Sequence, residues 1–195
     1  MKSFPLPFRL ILSLLIVLLI TYNCAAQSGS LFAGYKGIPW GSSPSEVSAL
    51  FTNLEDQGMQ EDNLLHMYMQ KKPIDGIINR CFYFWNDKLV KVRLFYFQDF
   101  IASTGFKEFV NRMTESFGQP KNQEKDNVMD TDGVNWLVGS MLWEDSNTSI
   151  SFKSRETREP ARKNWTYMLE FESVKLFKEA KEGKVTGEPQ KDWGW

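Results

Sequence analysis

Apolar residues recur at helical spacing twice along the chain. Val47, Leu50, Phe51 and Leu54 stand at i, i+3, i+4 and i+7 behind Ser43-Pro44-Ser45-Glu46. That tetrapeptide is a capping box with proline at the first helical position, so a helix is expected over 44–54, closed off by Gly58. Phe106, Phe109, Val110, Met113 and Phe117 form a second stripe. It predicts a helix over 104–117, started by Ser103 or Thr104 and stopped by Gly118 and Pro120. Between and after these stripes the pattern changes to alternation, the mark of a half-buried strand. Strands are expected over 64–70, 77–85 and 89–97, the last two joined through Asn86-Asp87-Lys88. Val90, Val92, Leu94 and Tyr96 share one face of the third, and Lys91 and Arg93 the other.

Residues 121–133 read as a polar, flexible loop. Trp136–Trp143 and Thr148–Ser154 predict a second hairpin around 144–147, followed by a charged loop over 155–163. Trp165, Tyr167, Leu169 and Phe171 alternate with Thr166, Met168, Glu170 and Glu172, the cleanest period-2 pattern in the chain. A short closing helix over 173–182 would turn Val174 and Phe177 inward, and 183–195 has the composition of a flexible tail. Helix-strand-strand-strand thus occurs twice, the helix starts lying about 61 residues apart. The expected fold is α+β: two helix-plus-three-strand repeats, over about 34–100 and 101–172, forming one antiparallel sheet with both helices packed on one face. Two separate sandwiched units are the other arrangement this order permits.

The first 26 residues fall outside that pattern. Lys2 and Arg9 precede an apolar run from Leu10 to Ile20. Eleven helical residues rise about 16 Å, too little for a bilayer core of about 30 Å, so the stretch has the form of a secretory signal. Cys24-Ala25-Ala26 offers small residues for cleavage before Gln27. Lipidation at Cys24 is the alternative. Thr21-Tyr22-Asn23 before it depart from the usual Leu-(Ala/Ser)-(Gly/Ala) spacing, but Ala25 to Ser30 would serve as a tether. A third outcome is an uncleaved anchor, lengthened by Phe4, Leu6 and Phe8. The location expected is the periplasm, the outer membrane or the extracellular space. Membrane association would require lipidated Cys24 or an uncleaved signal.

Composition narrows the class. Of 195 residues, 42% are hydrophobic and 24% charged, with 13 Gly and 8 Pro, which excludes collagen-like and Pro/Gly-rich disordered chains. Twenty-three basic against 24 acidic side chains argue against a nucleic-acid partner bound through its phosphates. Removing residues 1–26 takes Lys2, Arg9 and no acid, leaving 21 basic against 24 acidic side chains, and Cys81 as the single thiol once Cys24 is cleaved off or acylated. Cys81 lies in the run Cys81-Phe82-Tyr83-Phe84-Trp85 and reads as a core residue.

The tandem arrangement resembles the fold of the beta-lactamase inhibitor protein family. A single unit is similar to the small lipoprotein of the outer-membrane barrel-assembly machinery. In that lipoprotein's motif a capped helix with a Val and a Leu precedes Gly-x-Pro and a Trp-containing strand. Ser43, Val47 and Leu50 match its first part, and Gly118-Gln119-Pro120 with Trp136 its second, the match being split between the two units. Gly37-Ile38-Pro39-Trp40-Gly41 before the capped helix is similar to many bacterial secreted proteins. The resemblance implies an envelope or secreted interaction module.

Candidate chemistry is sparse. His66 is the sole histidine, whereas metal and acid–base sites recruit several such groups. Asp126, Asp130, Asp132 and Gly133 suggest a calcium loop, but aligning Gly133 to position 6 puts Val128 at 1 and Gly139 at 12. Glu144–Asp145 read as a turn, and Glu170 with Glu172 as one solvent-facing strand surface rather than a glycosidase pair. Arg155, Arg158, Arg162 and Lys163 offer an anion or headgroup site, or ion pairs with Glu156 and Glu159. Asn147-Thr148-Ser149 and Asn164-Trp165-Thr166 match glycosylation sequons. No P-loop, Gly-x-Ser-x-Gly or His-Glu-x-x-His motif occurs.

No catalytic, metal or cofactor residues are therefore expected. The surplus is aromatic: 15 Phe, 7 Trp and 6 Tyr, including Trp193 and Trp195 near the end. If part of it is exposed, Tyr83, Trp85 and Trp143 are the candidate partner surface. The function expected is a non-enzymatic protein-interaction module of the envelope or the secreted fraction. The alternative is a periplasmic or surface binding protein for a lipid or glycan. An exposed aromatic patch favours the first, an apolar cavity of several hundred Å³ the second, and a cleft joining His66 to two carboxylates an enzyme.

Overall fold

The computed structural model describes residues 33–71, 76–129, 131, 133–157 and 166–186, with side chains to 183. The leader with Cys24, the Arg158–Lys163 part of the charged loop, Asp130, Asp132, Asn164, Trp165, Trp193 and Trp195 lie outside these residues. Among the described residues there are four helices and ten strands, and no helix is long and apolar enough to cross a membrane. The fold is α+β, as expected, but its sheet is larger.

A two-stranded hairpin, β1 (Gly34–Tyr35) and β2 (Ile38–Pro39), opens the fold. Helix α1 (Pro44–Leu50) follows. Its capping box forms: the Ser43 hydroxyl accepts from the Glu46 N–H, and the Glu46 carboxylate accepts from the Ser43 N–H at 2.7 Å. The helix ends four residues earlier than its apolar spacing predicts, because Phe51 is already extended and Asn53 takes a positive φ of 59°. Leu54 accordingly begins a strand, β3 (Leu54–Gln60), bulged between Asp56 and Met59 around Gly58. Strands β4 (Leu65–Gln70), β5 (Ile77–Trp85) and β6 (Lys88–Tyr96) complete the first meander. Asn86 and Asp87, at φ 47° and 57°, turn β5 into β6, the left-handed pair that a two-residue hairpin loop requires.

The second half enters through two helices rather than one. Gly105, at φ 85°, separates α2 (Gln98–Thr104) from α3 (Phe106–Phe117), so Ser103 and Thr104 end α2 instead of capping α3. The segment read as a loop is β7 (Asn122–Met129), an edge strand exposed throughout. Strands β8 (Asn135–Glu144), β9 (Thr148–Thr157) and β10 (Thr166–Ser173) follow, then α4 (Val174–Thr186). Each run therefore has four strands, not three.

One antiparallel sheet of eight strands results, in the order β3-β4-β5-β6-β10-β9-β8-β7. Its centre is the β6–β10 pair, with Leu94 opposite Leu169 and Val92 opposite Phe171. Val47 of α1 and Phe109 and Met113 of α3 pack with Phe82, Leu94, Phe152, Leu169 and Phe171 on one face. Leu50 does not join them and is 65% exposed. Helix α4 lies on the opposite face, where Phe177 and Ala180 meet Cys81, Tyr83 and Val90, so helices cover both faces. Val90 sits on that second face because the register slips between Tyr83 and Phe84, adding a residue to β6 and reversing the direction of its start.

Candidate functional site

The first face holds a cleft of about 570 Å³. Its floor is the middle of the sheet, Leu94 and Tyr96 of β6 and Leu169 and Phe171 of β10, with Ile77 beside them. One wall is the β1–β2 hairpin with Tyr35 and Ile38, and the other is the end of α3 with Ser116 and Phe117. The hairpin approaches itself so closely that a Cβ on Gly34 would stand 1.8 Å from the Ile38 carbonyl oxygen, so only glycine fits there. The chain after it is tied down twice. The Gly41 N–H donates to the Leu89 carbonyl at 2.9 Å and the Leu89 N–H to the Ser42 carbonyl at 2.8 Å, and the Trp40 indole donates to Thr148 Oγ1 at 2.8 Å.

Arg80 of β5 sits beside this cleft and is 4% exposed. Alternation places it on the same face as Phe82 and Phe84, and it is paired in register with Leu94 of the floor. Its Nη1 donates to Gln70 Oε1 at 2.9 Å, and Gln70 Nε2 donates to the Thr52 carbonyl. The guanidinium carbon lies 4.8 Å from the centre of the Phe51 ring and 5.9 Å from that of Tyr35. No carboxylate pairs with it among the described residues. Its Nε and the Tyr35 hydroxyl are both buried without a hydrogen-bond partner. Burial raises the Tyr35 hydroxyl above its ordinary pKa, and the positive charge of Arg80 pulls part of that back. Burial raises Tyr96 as well.

The second face carries the opposite arrangement. Lys91, almost wholly buried, contacts Glu61 and Glu172 at 3.0 Å each and Glu170 at 3.8 Å. Arg93 Nε donates to Glu170 at 2.6 Å, its Nη2 to Glu61 at 2.9 Å, and its Nη1 to the Tyr83 hydroxyl at 3.1 Å. Burial works to raise the Glu170 carboxyl, but Lys91 and Arg93 overcome it and hold the group below its ordinary value. Burial raises Glu172, with Lys91 pulling it down and Glu170 pushing it up. Of the pair expected to face solvent here, Glu170 is 5% exposed inside the ion network and Glu172 is half-buried beside it. Three carboxylates hold two cations in place, so the pair is committed to ion pairing rather than open for glycoside chemistry.

Of the three aromatics that would form a partner surface if exposed, two are buried. Trp143 is 1% exposed, its indole donating to the Gly118 carbonyl at 2.8 Å, and Tyr83 is 4% exposed. Trp85 is half-buried against the α4 side of the sheet. Tyr83 and Trp143 fill the two core layers, while Phe97 and Phe106 stay exposed. Cys81 is buried, and burial pushes its thiol up to about 11 against the pull of Arg93. His66 meets one carboxylate, Asp56, at 2.6 Å, and stacks on Tyr68. Burial tends to raise Asp56, but the Gly58 N–H and His66 together lower it. Arg155 stacks over Trp136 at 3.9 Å. Asp126 lies on exposed β7, and Glu144 ends β8 beside the Asp145 turn. Among the described residues no group of three His, Cys, Asp or Glu side chains could hold a metal ion.

Arg80 escaped sequence reasoning, although a signal was present. It stands two residues before Phe82 and four before Phe84, so alternation alone turns a charge into the core. Compared with family models, curated proteins and solved structures, the chain matches none.

Proposed function

We propose that this chain is an exported, non-enzymatic binding protein that holds a small lipid in the cleft between the β1–β2 hairpin, α3 and the centre of the sheet. The cleft carries this reading. At about 570 Å³, lined by Ile38, Ile77, Leu94, Phe117, Leu169 and Phe171, it has the size and apolar lining of a small-molecule site. Export is read from residues 1–26, with cleavage before Gln27 or acylation at Cys24 as the two routes. A protein partner is the second reading, favoured by the exposed side chains of Leu50, Phe97, Phe106, Val128 and Met129.

The two halves read as a duplicated unit, each a helix followed by a meander. The strand order supports this, since two meanders joined by their last strands produce it. The beta-lactamase-inhibitor-like resemblance belongs to the same reading.

The test is displacement of an apolar fluorescent probe, 1-aminoanthracene, from the mature chain by lipids. Native mass spectrometry of the purified protein would be run in parallel. One probe per chain should bind, and Leu169→Trp, which fills the floor, should abolish uptake while leaving the far-ultraviolet dichroism unchanged. A folded protein that takes up neither probe nor lipid would remove the reading.

A further inference from the structure

We infer that the ligand of this cleft is a long-chain carboxylate, a fatty acid, whose head is received by Arg80 with Tyr35 beside it. The inference rests on the lipid-binding reading and adds the head group to it.

The argument starts from an imbalance inside one molecule. The cations of the second face, buried Lys91 and half-buried Arg93, are matched by Glu61, Glu170 and Glu172. Arg80, buried on the first face, has among the described residues the neutral Gln70 amide and two ring faces and no carboxylate. An arginine cannot shed its proton to escape burial, so its charge persists whatever surrounds it. Buried charges are costly unless an opposite charge and hydrogen bonds satisfy them, and aromatic faces compensate only in part. Arg80 Nε has no acceptor there, and the Tyr35 hydroxyl makes no well-formed hydrogen bond, interacting only loosely with Arg80 itself. A buried donor left unmade is the exception in folded proteins and calls for an acceptor.

Arg80 does not itself line the cleft; Tyr35 does, and its ring lies 5.9 Å from the guanidinium carbon, so a head group at the Tyr35 end is one side chain away from that charge. An acyl chain would lie over Leu94, Leu169 and Phe171, with its head at the Tyr35 end. Arg80 is the one buried cation at this end and balances a singly charged carboxylate, since Lys36, which also lines the cleft, is exposed to water at its rim. A phosphate monoester carries about −1.5 to −2 and would leave negative charge buried. A neutral lipid would leave Arg80 as it stands now.

The experiment compares palmitate, hexadecanol and methyl palmitate on the mature chain at pH 7.5, by probe displacement and calorimetry. Palmitate should bind at least tenfold more tightly than either neutral analogue. Arg80→Met should remove that preference while hexadecanol binding persists, and Tyr35→Phe, which keeps the ring, should weaken palmitate several-fold. In a 13C spectrum the labelled carboxyl should titrate at lower pH when bound than when free. The wild-type comparison needs no variant, so a poorly folding Arg80→Met does not blunt it. Equal binding of the three, or an acid preference that survives in folded Arg80→Met, overturns the inference and leaves a neutral-lipid cleft with Arg80 stacked on Phe51 as a core residue. Uptake of none of them, and of no probe, removes the lipid-binding reading along with it.

Discussion

Two residues three positions apart in one helix carry different weight. Val47 is fully buried under α1, whereas Leu50 points to water. Leu50→Ala should change unfolding free energy by no more than about 0.5 kcal/mol. Met113→Ala on α3, which opens a cavity over the sheet, should cost about 2–5 kcal/mol in urea denaturation. The ionic network allows a sharper test. Glu170→Gln leaves Lys91 and Arg93 short of a buried partner and should destabilise by about 3 kcal/mol at pH 7. Glu172 should behave in the opposite way. Its folded carboxyl titrates above its ordinary 4.5, so its stabilising effect is complete below that value and is lost as pH rises through the folded one. Glu170, titrating below 4.5 in the folded chain, stabilises above that value and loses its effect as pH falls through the folded one. Glu172→Gln should therefore gain stability relative to the parent between pH 5 and 7, read from denaturation midpoints.

Elements were legible where their signals were local. The capping box at Ser43 and the alternation of β5, β6 and β10 needed only neighbours in the chain. Strand β7 was not legible, because an edge strand exposed on both faces has no apolar side to alternate. Nor was β3, whose bulge at Gly58 breaks the period just where it would be read. Helix α2 buries a single residue, Ile101, too little to mark a stripe. The cleft is assembled from β1, β2, β5, β6, α3 and β10, and no window of sequence contains it. The hairpin is its narrowest support. Gly34→Ala drives a methyl into the Ile38 carbonyl and should at least halve probe uptake, with little loss in the sheet's dichroism. A variant that binds the probe as well as the parent would place the hairpin outside the site.

Among the described residues the sheet ends in two edge strands, and they are protected differently. Strand β3 ends its edge with a bulge, whereas β7 presents Glu124, Lys125 and Asp126 along the other. Charges on an edge discourage pairing with a second chain. Replacing Glu124 and Asp126 by valine should bring on concentration-dependent light scattering while leaving the thermal midpoint within a few degrees.

The middle of the sheet joins residues far apart in synthesis. Tyr96 is made long before Tyr167, its partner across the β6–β10 seam. Until residues 166–173 emerge, β6 is an open edge, and Lys91 and Arg93 await the glutamates that β10 brings. Such distant pairing is slow to form. Sequence separation alone thus favours pairing within each meander before pairing across the seam. A chain stopped short of Thr166 should remain protease-sensitive through its first half as well as its second.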